Sequence, residues 1–201
     1  LLAEQCTVYA LDRRGRGESG DAADYSLGRE AEDIAAVIEA IGRPVCLLGH
    51  SYGALCCLEA ALLTDRIARL ILYEPGLAGD IPLYPPGVPE RMQALIDAGD
   101  LEAAMLALFR EVVRMPEHEL AEYRQSPLWA ERLPLARTTP REMTAELSYA
   151  FEPTRFDAMR VPTLLLQGSD SPAVLHEATA HVAAALPDSR VVVLPGQGHI
   201  A

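Results

Sequence analysis

The feature that most constrains this chain is a junction. Residues 44–48, Pro-Val-Cys-Leu-Leu, form a short apolar run, Gly49-His50-Ser51-Tyr52-Gly53 follows at once, and Ala54 to Leu63 is rich in Ala, Leu and Cys. A short apolar run closed by a turn reads as a buried strand, and the longer run of small and aliphatic residues as a buried helix. A strand that passes into a helix through so tight a turn calls for residues without a β-carbon two positions either side of its apex. The apex serine oxygen is then held clear of the backbone, at the positive end of the helix dipole.

The same alternation runs along the rest of the chain. Residues 6–11 read as a strand that ends at Asp12 and a Gly/Arg-rich loop. Ser26 is placed to cap a helix whose apolar positions are Leu27, Ala31, Ile34, Ala35, Ile38 and Ile41, and Gly42 stops it. Residues 67–73, 162–167 and 190–194 read as further strands, and 174–186 as a helix. Prolines at 75, 82, 85, 86 and 89 make 75–89 an irregular connector, and from Glu90 to about Phe151 the pattern is helical. There Met92, Leu95 and Ile96 make one short face ended by Gly99, and Asp100 caps the next helix. Strands alternating with helices predict an α/β fold, a mostly parallel, doubly wound sheet with right-handed crossovers. Three parts follow: residues 1–75 as a first α/β part containing the serine turn, 76–158 as a helical cap or lid insertion, and 159–201 as a second α/β part.

Composition excludes several functions. The chain has 201 residues and a net charge of −12, so a polyphosphate backbone is disfavoured as a partner, and so are anionic membrane surfaces. It contains no run of 18 apolar residues and opens without a basic segment leading into an apolar one, so neither a spanning helix nor a signal peptide is predicted, and a cytoplasmic location is expected. Cys6, Cys46, Cys56 and Cys57 fit neither a disulfide framework nor a zinc site and read as reduced core thiols. No metal-ligand spacing and no phosphate-cradling glycine loop is present, so neither metal nor cofactor is expected; His176 and His181, five residues apart, fall on different helix faces. The arginines at 13, 14 and 16 read as pairing locally with Asp or Glu.

A serine hydroxyl is a weak nucleophile and needs a base. His199 stands out, because Gly196-Gln197-Gly198 sets it on a loop just past the last strand. His50 reads as structural, pointing to the opposite face. The base needs an acid to orient it. Asp170 follows a strand through Gly168-Ser169 and is the first choice; Glu74, at the end of 67–73, is the alternative acid. The catalytic set is therefore Ser51, Asp170 and His199, at the strand ends where reactive groups of open α/β sheets gather.

On these residues the chain resembles the α/β-hydrolase superfamily, in its esterase, lipase and cofactor-free haloperoxidase-like branch. Asp12-Arg13-Arg14-Gly15-Arg16-Gly17-Glu18-Ser19 is similar to that branch's Asp-x-Arg-Gly-x-Gly-x-Ser loop, and Gly49–Gly53 to its nucleophile elbow. Gly168-Ser169-Asp170 and Gly198-His199 resemble its acid and base loops, and the proline-rich exit at 75–89 its cap insertion. The resemblance implies a serine hydrolase, carboxylesterase-like, that cleaves a small, mostly apolar acyl substrate through an acyl-enzyme. It further implies the Tyr52 backbone N–H, next after the serine, as one oxyanion-hole donor, a His-Gly-type loop supplying the second, earlier strands, one of them lying between 6–11 and 44–48 in the sheet, and a final helix. The expectation is accordingly that these residues belong to a longer enzyme and that alone they have little or no activity. Two alternatives stay open: a non-catalytic ligand-binding or interaction protein of this fold, and an inactive truncated remnant. Oligomeric state is also left open.

Overall fold

A computed structural model describes residues 2–79 and 81–200. Four strands, β1 (Val45–His50), β2 (Ile67–Tyr73), β3 (Thr163–Gly168) and β4 (Ser189–Leu194), pair in parallel in the order β1-β2-β3-β4. Parallel neighbours need crossovers. Helix α2 (Tyr52–Ala60) joins β1 to β2, and α8 (Ala173–Ala185) joins β3 to β4. This is the mostly parallel α/β sheet that the alternating pattern predicts.

Strand register decides which residues are core. Leu72 pairs with Leu165 and Leu70 with Thr163, and side chains two apart share a face. Leu70, Leu72 and Leu165 are fully buried against Leu55 and Leu58 of α2, Ile34 and Ile38 of α1 (Leu27–Ile41), and Ala178 and Val182 of α8. The opposite face carries Cys46, Leu48, Ile71, Leu164 and Val192 in register. It is open over the outer strands: Leu48 is 57% and Val192 37% exposed.

The residues of α1 explain its bounds. The Ser26 side chain accepts from the Arg29 N–H at 3.2 Å, which satisfies one of the unpaired N–H groups of the first turn. Gly42 takes φ 72° and returns its N–H to Ile38 and Glu39, a left-handed stop that a residue with a β-carbon adopts at a cost.

Between β2 and β3 the chain is helical: α3 (Val88–Asp97), α4 (Leu101–Ala107), a π-turn at Leu108–Val112, α5 (Glu117–Arg124), α6 (Pro127–Arg132) and α7 (Thr139–Leu147). Asp100 caps α4 by accepting from the Ala103 N–H at 2.9 Å. Phe109, Trp129 and Leu120 form the interior of this lobe, with Tyr123 packed edge-on to Trp129. Met92 of α3 and Met143 of α7 pack with Leu175 of α8, so the lobe rests on the sheet's own helix.

Three expectations are corrected here. Residues 6–11 are not a strand: they pair with none of the four, and Val8, Tyr9 and Leu11 are exposed. β-Branched and aromatic residues favour an extended backbone, but a strand exists only where a neighbour completes its ladder. The cysteines also divide: Cys56 and Cys57 are buried on α2, whereas Cys6 and Cys46 are exposed. The arginine loop is paired, but over long range rather than locally. Arg13 bridges Glu30 of α1 at 2.8 Å and Glu142 of α7 at 2.6 Å; Arg16 also meets Glu142, at 2.7 Å, and Arg14 meets Asp33 at 2.8 Å.

Replacing Ser26 with alanine is expected to lower unfolding free energy by about 1 kcal/mol, read as a lower urea midpoint with an unchanged slope.

Candidate active site

The serine turn takes its shape from backbone strain and one glycine. Ser51 has φ 55° and ψ −127°, a conformation that side-chain-bearing residues rarely hold, and α2 begins at the next residue. A β-carbon on Gly49 would stand 2.5 Å from the Gly53 carbonyl oxygen and 2.6 Å from Ala54 Cα, so only glycine fits there. Gly53 is different: a β-carbon there meets nothing within 4 Å among the described residues. The steric demand inferred for both glycines thus falls on Gly49.

The strand ladders set the remaining positions. His50 is opposite Tyr73, so Ser51 and Glu74 leave adjacent strands side by side, and the Ser51 N–H donates to the Tyr73 carbonyl at 2.9 Å. Glu74 turns out of its strand at φ 45°, which sends its carboxylate beneath the sheet edge, fully buried. Its Oε1 accepts from the Gly168 N–H at 2.7 Å and its Oε2 lies 2.6 Å from His199 Nδ1. On the other side of the ring, His199 Nε2 lies 3.0 Å from Ser51 Oγ. Serine, histidine and glutamate therefore form one continuous chain of hydrogen bonds.

Asp170 is not part of it. Its exposed carboxylate accepts from Ser169 Oγ at 2.7 Å, and its N–H donates to the Gln197 carbonyl at 3.0 Å. The reason lies in the loop that carries His199. That loop crosses the end of β3, and a β-carbon on Gly168 would stand 2.3 Å from the Gln197 carbonyl oxygen. Having crossed β3, the loop delivers the imidazole over β2, where Glu74 waits. The strand-end rule applies to both acids; the crossing selects between them.

His50 also departs from its expected place. Its ring is 4.6 Å from that of His199, and its Nε2 is 2.7 Å from the His199 carbonyl oxygen. The Tyr73 hydroxyl donates to the neighbouring Gly198 carbonyl. These two bonds hold the loop through its backbone carbonyls. His176 reaches the Gly168 carbonyl at 3.0 Å, and His118 lies on α5 of the lobe. Among the described residues no cluster of His, Cys, Asp or Glu could hold a metal ion, and no helix is long and apolar enough to cross a membrane.

Burial by itself would raise the Glu74 pKa. The hydrogen bonds from His199 and the Gly168 N–H outweigh it and hold the carboxyl below its usual range. The Ser171 hydroxyl approaches the same carboxylate but falls short of a well-formed hydrogen bond. Glu74 is thus an anion beside Nδ1, which fixes the proton there and leaves Nε2 free to accept from serine. The Tyr52 N–H stands at the first turn of α2, where helix N–H groups have no partner within the helix.

A cavity of about 260 Å³ opens over Ser51 and His199, walled on the lobe side by Leu108, Phe109, Val112 and Met143. Sequence reading missed both acids in its wall, Glu142 and Glu146 of α7. Glu146 is buried, is hydrogen-bonded to the Tyr84 hydroxyl, and packs against Gly76 so closely that a β-carbon there would be 1.7 Å from its Oε1. Burial raises its pKa to about 8. Nothing in the sequence marks it, since a glutamate on an amphipathic helix is ordinarily solvated.

Parallel strands with a strained serine between strand and helix, and a histidine returning from the last strand, define a protein of the α/β-hydrolase class. The sequence profile of the alpha/beta hydrolase family matches residues 1–201. The chain is 29% identical to a 2-(acetamidomethylene)succinate hydrolase of Mesorhizobium japonicum, across 98% of this chain and 73% of that protein. An alpha/beta hydrolase from Sphaerobacter thermophilus has a similar crystal structure, with a TM-score of 0.79 and 35% identity over 94% of this chain and 74% of that one. A hydrolase from Pseudomonas aeruginosa shares the fold at a TM-score of 0.71 and 23% identity, over 93% of this chain and 70% of that one. The chain belongs to the alpha/beta hydrolase family and is a hydrolase of that fold.

The buried Glu146 makes stability depend on pH. Its folded pKa lies above that of the unfolded chain, so its contribution is complete below the unfolded value and is lost as pH rises through about 8. Thermal midpoints are expected to fall over that range, and Glu146→Gln is expected to flatten the decline.

Proposed function

We propose that this protein is a serine hydrolase that cleaves an ester-like acyl substrate, with Ser51 as nucleophile, His199 as base and Glu74 as the orienting acid. The observation that carries this reading is the pair of distances on one imidazole: 3.0 Å from Nε2 to the serine oxygen and 2.6 Å from Nδ1 to a buried carboxylate. Nε2 takes the serine proton as Oγ attacks the acyl carbon. Glu74 keeps the Nδ1–H in place and offsets the imidazolium charge that develops. The Tyr52 N–H points toward the forming oxyanion, where a preorganised donor counts for most. Nε2 then protonates the leaving group, and a water deprotonated by the same nitrogen releases the acid.

The apolar lobe wall suits the body of a small acyl group and helps to keep bulk water from the acyl-enzyme. The Mesorhizobium japonicum relative is named for hydrolysis of an acetamido compound. An acyl carbon bonded to nitrogen therefore belongs in the substrate series beside the esters.

A fluorophosphonate probe is expected to label the protein at Ser51, and Ser51→Ala is expected to abolish labelling and turnover. Glu74→Gln keeps the shape but removes the charge, and is expected to lower kcat on the order of 10³–10⁴-fold, whereas Asp170→Asn is expected to stay near the unmodified rate. A large loss in Asp170→Asn with a small one in Glu74→Gln would reverse the assignment of the acid. A folded protein that neither labels nor turns over any ester or amide would leave the non-catalytic reading standing.

A further inference from the structure

The cavity over Ser51 carries more positive charge than its own carboxylates balance. Arg13, Arg16, Arg114 and Arg132 line it against two acidic side chains, Glu142 and Glu146. Arg13 and Arg16 are both ion-paired with Glu142. Arg114 and Arg132 have no carboxylate within ion-pair distance among the described residues, and neither makes a hydrogen bond there. Yet the chain holds 29 acidic residues against 17 basic ones and a net charge of −12. Several other lobe arginines find partners even on the surface, as Arg91 does with Glu111, Arg110 with Glu117 and Arg124 with Glu102. Two guanidiniums without a carboxylate partner on the cavity that holds Ser51 are a local excess of positive charge in an acidic protein, and they attract an anion there.

Arg132 is the last residue of α6, and its guanidinium lies over the Tyr123 ring, 6.0 Å from the centroid. Burial chiefly disfavours the protonated form of His50 at the serine end of the cavity, His199 adds to this, and the Arg132 charge contributes in the same direction. Arg114 leaves the π-turn in a left-handed conformation, φ 56°, which a side-chain-bearing residue keeps only where its surroundings impose it. The same cavity has an apolar lining in Leu108, Val112 and Leu135.

We propose that the substrate is an acyl compound bearing a carboxylate on the far side of a short apolar segment from the scissile carbonyl, with that carboxylate seated on Arg132 and Arg114. The planar guanidinium fork matches a carboxylate through paired N–H···O bonds, and an apolar segment of a few carbons suits the apolar lining. This rests on the acyl-transfer reading above and specifies the substrate class for the same serine.

The test compares two esters of similar acyl length, mono-4-nitrophenyl glutarate and 4-nitrophenyl butyrate, on the unmodified protein and on Arg114→Gln, Arg132→Gln and the double variant, with folding checked by circular dichroism. The glutarate ester is expected to have the higher kcat/KM by about tenfold or more, expressed chiefly in KM and shrinking as salt is added. The ratio is expected to collapse toward one in the double variant. Equal kcat/KM values in the unmodified protein, or a preference that survives both substitutions, would overturn the subsite. If neither ester turns over and Ser51 does not label, the acyl-transfer reading fails. The subsite is then judged by calorimetry with glutarate and 1,5-pentanediol: glutarate-selective binding that disappears in the double variant supports it, and its absence overturns it.

Discussion

The hydrogen bond between Glu74 and His199 joins parts of the chain 125 residues apart, and the site exists only because it forms. It demands a buried carboxylate at the end of an inner strand, which is costly unless each oxygen is satisfied. The structure meets that demand with the Gly168 N–H on one oxygen and the imidazole on the other. Gly168 serves twice, because its missing side chain also lets the histidine loop cross β3. Remove the crossing and the ring no longer reaches the serine; remove the carboxylate and the ring loses its orientation.

A second set of charges fastens the lobe over that site. Arg13 lies between Glu30 of α1 and Glu142 of α7, and Arg16 doubles the contact to Glu142. These groups are largely shielded from water, so loss of one partner would leave a buried charge uncompensated. The position of α7, and with it Met143 and Glu146 in the cavity wall, is thus tied to the arginine-rich loop rather than to apolar packing alone. Arg114 and Arg132, which line the same cavity, have no such carboxylate partner among the described residues.

Much of this was legible in the residues. The cap at Ser26, the stop at Gly42, the strands at 45–50, 67–73, 163–168 and 189–194, and the helix after Ser51 all follow from local chemistry: side-chain hydrogen bonds to the backbone, glycine's access to left-handed angles, and runs of apolar residues. The serine turn and the loop histidine are legible for the same reason. Residues 6–11 show the limit. Their composition favours an extended chain, but pairing is a property of the neighbour, and none of the described strands takes that place.

The choice of acid shows the other limit. Asp170 and Glu74 both leave the carboxyl end of a strand, and by sequence position Asp170 has the better claim. Only the spatial order of the strands, with β3 lying between the histidine loop and β2, puts Glu74 under the imidazole and leaves Asp170 in solvent. The burial of Glu146 and the unpaired state of Arg114 and Arg132 likewise depend on which distant side chains come near. The sequence by itself determined the parallel α/β class, the serine turn and the histidine that returns to it, because each rests on interactions within a few residues. The tertiary structure alone decided the acid, the arginine pairings and the charge of the cavity, because those are energies between groups far apart in the chain, and electrostatic interaction depends on distance and burial rather than on sequence order.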